Sequence, residues 1–288
     1  MSSLREIVEG PFIGLGLGID VKGDTPDWRA LLEGPDRPFE FLEVFTRGDG
    51  GIAAEVRELA GPDFPLIYHH EGLELVYPAP MSETAIDAAI VNLENTRAFW
   101  CIEELAYREI DGRYLDFFMP AILSEESAQT AVEKLKELNA RLPVPVTPEN
   151  PPYQLPVGPL HICEYMRLVG EGADVPLILD LGHLYSYQLC VGGEPLDELS
   201  RMPLERVIEL HVAGANLVDV NGVTIYEDSH GADLVPEILL EMLAEVAPQC
   251  PHLRAVTIEV EDAPNERCLT EARRVREVLR GAGLLESA

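Results

Sequence analysis

The sequence predicts a (β/α)₈ barrel, and three observations support that fold class. Eight short apolar stretches have the composition of buried parallel strands. Most of them are separated by longer stretches with the 3.6-residue periodicity of amphipathic helices. The whole alternation fits within 288 residues, close to the roughly 250 residues of a typical barrel. The predicted strands are 12–19, 39–45, 64–70, 99–107, 144–150, 175–183, 207–214 and 255–261.

The first predicted strand, "IGLGLGI", has a glycine at every second position. The pattern is not a G-x-G-x-x-G turn that opens a helix, so a dinucleotide-binding site is not favoured. We expect instead that these small residues face inward and leave room inside the barrel.

Polar caps and glycines mark the ends of the predicted helices. Ser82 is expected to cap the helix in "SETAIDAAIVNLENTRAFW", and Ser124, with Ser127 as an alternative, caps the next one. The last helix is expected to stop at Gly281 and Gly283. Two half-size α/β domains are the alternative arrangement, but no linker separates such halves. The sequence therefore predicts one barrel domain over the whole chain.

The charge of the chain argues against several partners. Asp and Glu number 51 against 21 Lys and Arg, a formal net charge of -30 at pH 7. Nucleic acids and anionic membranes should repel such a chain. No apolar run reaches the roughly 18 residues of a membrane span, and Arg5, Glu6 and Glu9 interrupt any signal-peptide pattern. The five cysteines form no C-x-x-C pair, so we expect reduced thiols in a cytoplasmic protein.

Charged and imidazole side chains collect at the C-terminal ends of the predicted strands. A charge inside a strand buried on both faces is costly unless it is paired or binds a metal. Glu149, Asp180 and His211 follow one another in equal steps of 31 residues, about one βα unit. We expect such steps to bring them to one height at the mouth, where barrel enzymes keep their active sites. The strand-end residues are Glu43, His69, Glu149, Asp180, His211 and Glu259.

A metal ion would reconcile these groups. Carboxylates crowded into one pocket repel one another, whereas carboxylate and imidazole together suit Fe, Mn, Zn or Co. Gly182 is expected to turn the chain sharply, so that His183 swings back over the mouth beside Asp180. In "YEDSHGAD", Asp228 and His230 are two residues apart and are expected to face the same way in an extended segment.

Other polar residues have structural explanations. Glu43 is either a further ligand or part of a salt bridge at the barrel floor. Glu209 shares the strand parity of His211 and is expected to be a paired acid deeper in the barrel. His70 should point away from the side chain of His69, because successive strand residues face opposite sides.

This set of residues resembles the ligands of the xylose-isomerase-like barrels, which include sugar isomerases, epimerases and the endonuclease IV type of DNA repair enzyme. A closer resemblance, over most of the chain, is to the DUF692 family of multinuclear non-haem iron-dependent oxidases. That family's E-N-P is "ENP" here, its D-T-H-G is similar to "DSHG", and its L-L-D-V-N-N-V-Y resembles "LILDLGHLY". The resemblance implies metal ligands at His69, Glu149, Asp180, His183, His211, Asp228, His230 and Glu259.

Three positions depart from the family pattern. Glu104 stands where the family has a His, and Ala215 stands where a second His would follow His211. His183 replaces a side-chain amide. The site is therefore expected to hold either two or three metal ions, with zinc or manganese as alternatives to iron.

The resemblance implies a mixed-valence iron site that activates O₂ and oxidises a peptide. A cysteine or another residue of a ribosomally made precursor is the typical target in that family, and a small thiol-like substrate is the alternative. Glu261 or Glu104 would move protons if they are not themselves ligands. A separate recognition protein that delivers the substrate stays open.

Two other functions stay open. A sugar isomerase, epimerase or hydrolase would use the metal to polarise a carbonyl or activate a water. Such isomerases usually supply a Lys near the metal, and Lys22, Lys134 and Lys136 lie at no strand end. DNA repair fits the ligands but not the charge of the chain. A non-catalytic binding barrel is the remaining alternative.

Overall fold

A computed structural model describes residues 8–35, 37–46 and 51–286. Within them, eight parallel strands close into a barrel in the order β1-β12-β9-β8-β7-β4-β3-β2. Four further strands form the hairpins β5–β6 and β10–β11. The strands are β1 (Gly14–Asp20), β2 (Phe41–Thr46), β3 (Leu66–His70), β4 (Cys101–Glu104), β5 (Ala106–Ile110), β6 (Arg113–Pro120), β7 (Val146–Glu149), β8 (Leu177–Asp180), β9 (Val207–Ala213), β10 (Ala215–Val220), β11 (Val223–Asp228) and β12 (Ala255–Glu259). The predicted (β/α)₈ barrel is confirmed.

The helices begin and end near the predicted signals. Ser82 and Ser124 each accept a backbone N–H three residues on, at 3.4 and 3.2 Å, so both predicted caps are confirmed. The last helix ends at Gly281, as expected. The α-helices of the described residues are α1 (Trp28–Glu33), α2 (Glu55–Ala60), α3 (Glu83–Thr96), α4 (Glu125–Arg141), α5 (Ile162–Ala173), α6 (Leu181–Val191), α7 (Glu237–Val246) and α8 (Asn265–Gly281).

Two apolar clusters hold the barrel together. Outward-facing strand residues such as Leu15 and Leu17 are fully buried in one large core with the apolar faces of the helices. Gly16 faces the other way, because a Cβ atom there would lie 2.2 Å from the ring of Phe41. The expectation that strand glycines leave room inside the barrel is confirmed at this position. The interior cluster consists of Phe41, Ile67, Trp100, Ile102, Ile178, Ile208 and Ala255.

The strand register sets the height of each polar residue above this floor. Asp180 pairs with His211, so these two side chains lie at one level, as expected. Glu149 pairs with Ile178 instead, which sets Glu149 two residues lower along β8 than Asp180. The expectation of one common height is therefore wrong for Glu149. Strands in a closed barrel are staggered, and equal sequence steps do not remove that stagger.

Several predicted strands run past their observed ends at the barrel mouth, and two of these errors affect the site. The stretch 99–107 leaves the barrel after Glu104, and Ala106 already pairs with Pro120 in the hairpin β5–β6. The stretch 175–183 ends at Asp180, where α6 begins at once.

The two hairpins were not predicted, although the sequence carries a signal for each. Asp111-Gly112 and Asn221-Gly222 both adopt positive φ at two successive residues, which two-residue hairpin turns of this kind require.

The described residues include no helix that combines the length and the apolarity needed to cross a bilayer.

Candidate metal centre at the barrel mouth

Every residue predicted as a metal ligand lies at the C-terminal mouth of the barrel. The side chains divide into an inner group, buried against the barrel floor, and an outer group, nearer the opening. The inner group consists of Glu43, His69, Glu149, His211 and Glu259. The outer group consists of Glu104, Asp180, His183, Asp228, His230 and Glu261.

His211 is the centre of the inner group. Its Nε2 atom lies 3.1 Å from Oε2 of Glu43, and its Nδ1 atom lies 2.9 Å from Oε1 of Glu149. His69 reaches the same two carboxylates, at 3.1 Å from Glu43 and 3.6 Å from Glu149. Glu259 completes the ring at 3.5 Å from Nδ1 of His211. Strand alternation produces this convergence, because each of these residues faces inward.

Asp228 is the centre of the outer group. Its Oδ2 atom lies 3.0 Å from Nε2 of His183 and 3.0 Å from Nε2 of His230. His230 also contacts Glu261 through Nδ1 at 3.1 Å, and its Nε2 atom lies 3.8 Å from Glu259. The expected Asp228 and His230 pair therefore does converge. The segment is not extended, however, because His230 adopts a positive φ of 34° just after β11 ends.

His183 reaches the mouth by a different route from the one expected. Asp180 is the N-cap of α6, and its carboxylate accepts the backbone N–H of His183 at 2.5 Å. His183 therefore sits in the first helical turn, with Nδ1 2.7 Å from the carbonyl oxygen of Asn150. The expected sharp turn at Gly182 is wrong, since the residue is helical. A side chain there is excluded for another reason: its Cβ would lie 2.2 Å from the Tyr226 hydroxyl.

Asn150 fixes the strand that carries Asp180. Its side-chain amide donates to the carbonyl of Asp180 at 2.9 Å, and its side-chain oxygen accepts the N–H of Asp180 at 2.9 Å. One side chain thereby replaces a pair of ladder hydrogen bonds between β7 and β8. Sequence reasoning noted "ENP" only as a family string and missed this role.

Many buried polar atoms of the site have no hydrogen bond within the described part of the chain. Several of them are close in space and yet misaligned, as in the 2.9 Å contact between His211 and Glu149. Buried polar atoms are normally satisfied, so such a cluster calls for a partner outside the chain. A cation fits, because every atom concerned can donate a lone pair. The atoms are Glu43 Oε2, His69 Nε2, Glu104 Oε2, Glu149 Oε1 and Oε2, Asp180 Oδ2, His211 Nδ1 and Nε2, Asp228 Oδ1 and Glu259 Oε2.

The spacing of the donor atoms also fits metal ligation. Several sets of three have donor atoms that all lie within 4.8 Å of one another. These sets include His183–Asp228–His230, Glu43–His69–Glu259, Glu149–His211–Glu259 and Glu149–Asp180–His183. Glu149 and Glu259 each belong to two of these sets.

Without a bound cation, protons on histidine and carboxyl side chains offset the negative charge of the site. Burial opposes protonation of His69, but its hydrogen bond to Glu43 and the nearby carboxylates raise its pKa to about 10. Burial raises the pKa of Asp180 to about 7 despite the neighbouring His183. Burial likewise raises the pKa of Glu261 to about 7, against the opposing effect of His230. Metal binding here must displace such protons.

Glu209 lies below the inner group. Its two oxygens accept hydrogen bonds from Nε1 of Trp100 at 2.7 Å and from Oγ1 of Thr257 at 2.5 Å. Its Oε1 atom also lies 3.5 Å from Nε2 of His211. The expectation of a paired acid deeper in the barrel is confirmed. Its carboxylate is held by Trp100 and Thr257 next to the ring of His211.

Glu43 belongs to the site rather than to the barrel floor. It touches both inner imidazoles and is fully buried. Burial alone would raise its pKa, but His211 and His69 hold the pKa well below its usual range. His70 points away from the centre and bonds to the Tyr68 hydroxyl, as the strand parity predicted.

A cavity of about 550 Å³ lies over the outer group. The hairpin β5–β6 forms one wall and contributes Arg108, Phe117 and Phe118. The Arg108 guanidinium donates to Glu71 at 2.6 Å and stacks 3.9 Å above the ring of Phe118. Sequence reasoning missed Arg108, because its position depends on a hairpin that was taken for a strand end.

The chain is similar to proteins of a described family. A profile of the family described as RiPP precursor modification enzyme MbnB/TglH/ChrH matches residues 17–280. The chain belongs to this family. The predicted DUF692 resemblance is thereby confirmed.

Relatives of this MbnB/TglH/ChrH family member match over much of its length. A UPF0276 protein of Pseudomonas aeruginosa strain UCBPP-PA14 is 30% identical over 292 residues, which is 97% of this chain and 95% of that protein. A UPF0276 protein of Nitrosospira multiformis is 25% identical over 214 residues, 73% of this chain and 74% of that protein.

Solved structures share the fold of this family member at low identity. Endonuclease IV from Thermus thermophilus has a TM-score of 0.59 at 16% identity, covering 93% of this chain and 99% of that one. A xylose isomerase domain containing protein from Salmonella typhimurium has a TM-score of 0.55 at 14% identity, covering 94% and 97%. These likenesses confirm the xylose-isomerase-like barrel, and they concern the fold alone.

Proposed function

We propose that this chain is a metal-dependent oxidase that uses two or three iron ions and O₂ to modify a peptide. The description of its family, enzymes that modify RiPP precursors, supports a ribosomally made precursor peptide as the substrate. A small thiol-like compound is the alternative substrate. Zinc and manganese are the alternative metals, since the donor set of carboxylates and imidazoles suits them too.

One observation carries the proposal. Carboxylate and imidazole atoms from distant parts of the chain converge while fully buried, and many of them bond to nothing within the described residues. Leaving one such group unpaired costs about 1–3 kcal/mol, and more if it is charged. The cluster contains ten such atoms, and cations bound to them would offset this cost.

The proposed ligands form an inner and an outer metal position, and Asp180 lies between the two. The inner position uses His69, His211, Glu149 and Glu259, and the outer position uses Asp228 with its two imidazoles. Asp180 lies between them in the Glu149–Asp180–His183 set, which could hold a third ion. The proposed ligand set is His69, Glu149, Asp180, His183, His211, Asp228, His230 and Glu259, with Glu43 as an addition to it.

Two departures from the family pattern, Ala215 and His183, offset each other beside Asp228. Ala215 is the Cα partner of Asp228 in the hairpin β10–β11, so a histidine at 215 would stand beside this carboxylate. His183 supplies an imidazole to the same carboxylate from α6, 3.0 Å away. The number of imidazoles at the outer position is thereby kept, which supports a complete outer site.

Bound iron would supply Lewis acidity and one-electron exchange with O₂. The chain itself would supply proton handling at Glu104 and Glu261, which line the cavity next to the proposed ligands. Burial raises the pKa of Glu104 well above its usual value, which favours the protonated carboxyl. Glu261 contacts Nδ1 of His230 and thereby fixes the orientation of that ring.

The cavity suits one or a few residues of a peptide. Its volume of about 550 Å³ lies within the usual range for ligand pockets. Phe117 is 59% exposed at its rim and offers apolar surface to a substrate. Arg108 places a guanidinium above the acidic centre, where it can bind a substrate carbonyl or carboxylate. A separate recognition protein could bring the peptide to this rim.

A sugar isomerase, epimerase or hydrolase is less well supported. None of the described residues that line the cavity is a lysine. Lys134 lies on α4, where its ammonium donates to the carbonyl of Glu74 at 2.6 Å. The remaining alternative is a non-catalytic binding barrel. It would not explain why so many buried polar atoms of the site have no hydrogen bond among the described residues.

Elemental analysis and oxygen uptake test the proposal together. The protein is purified without oxygen, its metal content is measured, and O₂ consumption is followed with precursor peptides encoded by neighbouring genes. His211→Asn and Glu149→Gln should lose bound iron and O₂ uptake. Glu271→Gln is the matched control, because Glu271 is an equally buried acid that pairs with Arg274 on α8. A protein that contains only zinc, and that consumes no O₂ after reconstitution with iron, would contradict the proposed oxidase activity.

A further inference from the structure

Tyr226 is a buried phenol beside the metal centre that lies outside the predicted ligand set. Its side chain is 3% exposed, and its ring packs perpendicular to Tyr185 with 6.2 Å between the centroids. Its hydroxyl is buried and makes no hydrogen bond to any described residue. A buried hydroxyl without a partner costs about 1–3 kcal/mol, so an unassigned partner is expected.

The hydroxyl points toward the centre. Tyr226 and Asp228 are two residues apart on β11, so their side chains project from the same face of the strand. Opposite them stands Gly182, in the first turn of α6. A Cβ atom at Gly182 would lie 2.2 Å from the Tyr226 hydroxyl oxygen and 3.2 Å from Oδ1 of Asp180. The hydroxyl therefore fills the space that any other residue at 182 would occupy.

The carboxylates that act electrostatically on this phenol are those of Asp228, Asp180 and Glu259. Each of these three has one oxygen without a hydrogen bond among the described residues. The phenol oxygen thus lies beside Gly182 and Asp180, and it and the three neighbouring carboxylates each have a buried oxygen without a hydrogen bond among the described residues. Hydrogen bonds within the chain do not satisfy them, whereas one cation would satisfy several at once.

We propose that the Tyr226 hydroxyl oxygen is a ligand of the metal ion bound at the outer group, His183–Asp228–His230. This inference rests on the proposed function, because it requires that group to bind a metal. As the oxygen–metal bond forms, the O–H bond breaks and the proton passes to solvent, leaving a phenolate ligand. Gly182 is needed because a methyl group there would displace the oxygen.

Ferric iron is the probe that separates this role from a structural one. A phenolate bound to ferric iron gives a charge-transfer band in visible light, which imidazole and carboxylate ligands do not give. The full chain is loaded with ferric iron, its iron content is measured, and its visible spectrum is recorded. We expect the band in the wild type, and we expect Tyr226→Phe to lose it while keeping its iron.

Two further variants make the test specific. Gly182→Ala keeps the phenol but fills its space, so the band should weaken strongly or disappear. Tyr153→Phe is the matched control, because the Tyr153 hydroxyl is also buried and without a hydrogen bond among the described residues. Its electrostatic neighbours are Tyr165 and Tyr187 rather than carboxylates. This control should keep the full band.

Each other outcome overturns the proposal in a recognisable way. A wild type that binds iron without the band, or a Tyr226→Phe variant that keeps it, excludes the ligand role and leaves the metal site intact. A wild type that retains no iron overturns the ligand role together with the proposed function. If Tyr226→Phe does not fold, Gly182→Ala decides: an unchanged band in that variant contradicts the proposal.

Discussion

Asp228 shows at the residue scale how the proposed metal site differs from an ordinary ion pair. One of its oxygens lies 3.0 Å from two imidazoles at once, and the other oxygen bonds to nothing among the described residues. Burial would raise its pKa, but His230 and His183 hold the pKa well below the usual range. A carboxylate kept ionised in a buried site is a ready metal ligand.

Asp228→Asn should therefore empty the outer position. The amide keeps the shape of the side chain but removes the charge that binds a cation. We expect the loss of about one metal ion per chain, with the inner group still loaded, and elemental analysis measures it. Asp219→Asn on the same hairpin is the control, since Asp219 is exposed and only caps the turn at Gly222. Equal metal content in the wild type and in Asp228→Asn would contradict the assignment.

Asn150 makes a second prediction at this scale. Asn150→Ala removes both hydrogen bonds to the backbone of Asp180 and leaves a buried N–H and a buried carbonyl unsatisfied. The free energy of unfolding should fall by about 2–5 kcal/mol, as measured by denaturant titration. A loss below about 1 kcal/mol for the alanine variant would show that the two strands do not depend on this side chain.

At the scale of elements, the hairpin β5–β6 is fastened over the mouth by residues of the loop after β3. Arg108 donates its backbone N–H to Glu74 at 3.0 Å and its guanidinium to Glu71 at 2.6 Å. Burial raises the pKa of Glu74 to about 7, although hydrogen bonds from Arg108 and Glu109 oppose the shift. The loop that fastens this hairpin therefore contains an acid that is easier to protonate in the folded state.

The stability of the protein should reflect that acid. Between its unfolded pKa of about 4.5 and its folded pKa of about 7, the folded chain binds the extra proton. The contribution of Glu74 to stability is therefore largest below this window and falls as the pH rises through it, by at most about 1.4 kcal/mol per pH unit. Glu74→Gln removes the titration and keeps an acceptor, so its slope over pH 5–7 should be flatter. Parallel pH profiles for the two proteins would exclude Glu74 as the source.

At the scale of the whole molecule, the proposed metal binding would link the acidic centre to folding. The unfolded chain has no such centre, so a bound metal stabilises the folded state by mass action. Removing the metal with a chelator should lower the melting temperature by roughly 10 °C, given about 4 kcal/mol of binding energy at saturation. Differential scanning calorimetry with and without the chelator measures this. An unchanged melting temperature would favour the non-catalytic barrel.

The sequence could predict the features that depend on the two-residue alternation of side chains along a strand. His69, His211 and Glu259 face the interior because inward positions alternate, and their strands are clear apolar runs. It could not predict Tyr226 or Arg108, since both reach the centre on hairpins that fold back over the mouth. The turns Asp111-Gly112 and Asn221-Gly222 would have revealed these hairpins. The role of Gly182 depends on a residue 44 positions away, which no local pattern encodes.

Anomalous diffraction across the iron absorption edge tests the central claim most directly. Crystals of protein purified without oxygen and reconstituted with iron would be measured on both sides of the edge. We predict two or three peaks, one bounded by His183, Asp228 and His230 and another beside His211 and Glu149. A map with no peak at the barrel mouth, from protein that is folded and fully exposed to iron, would contradict the account.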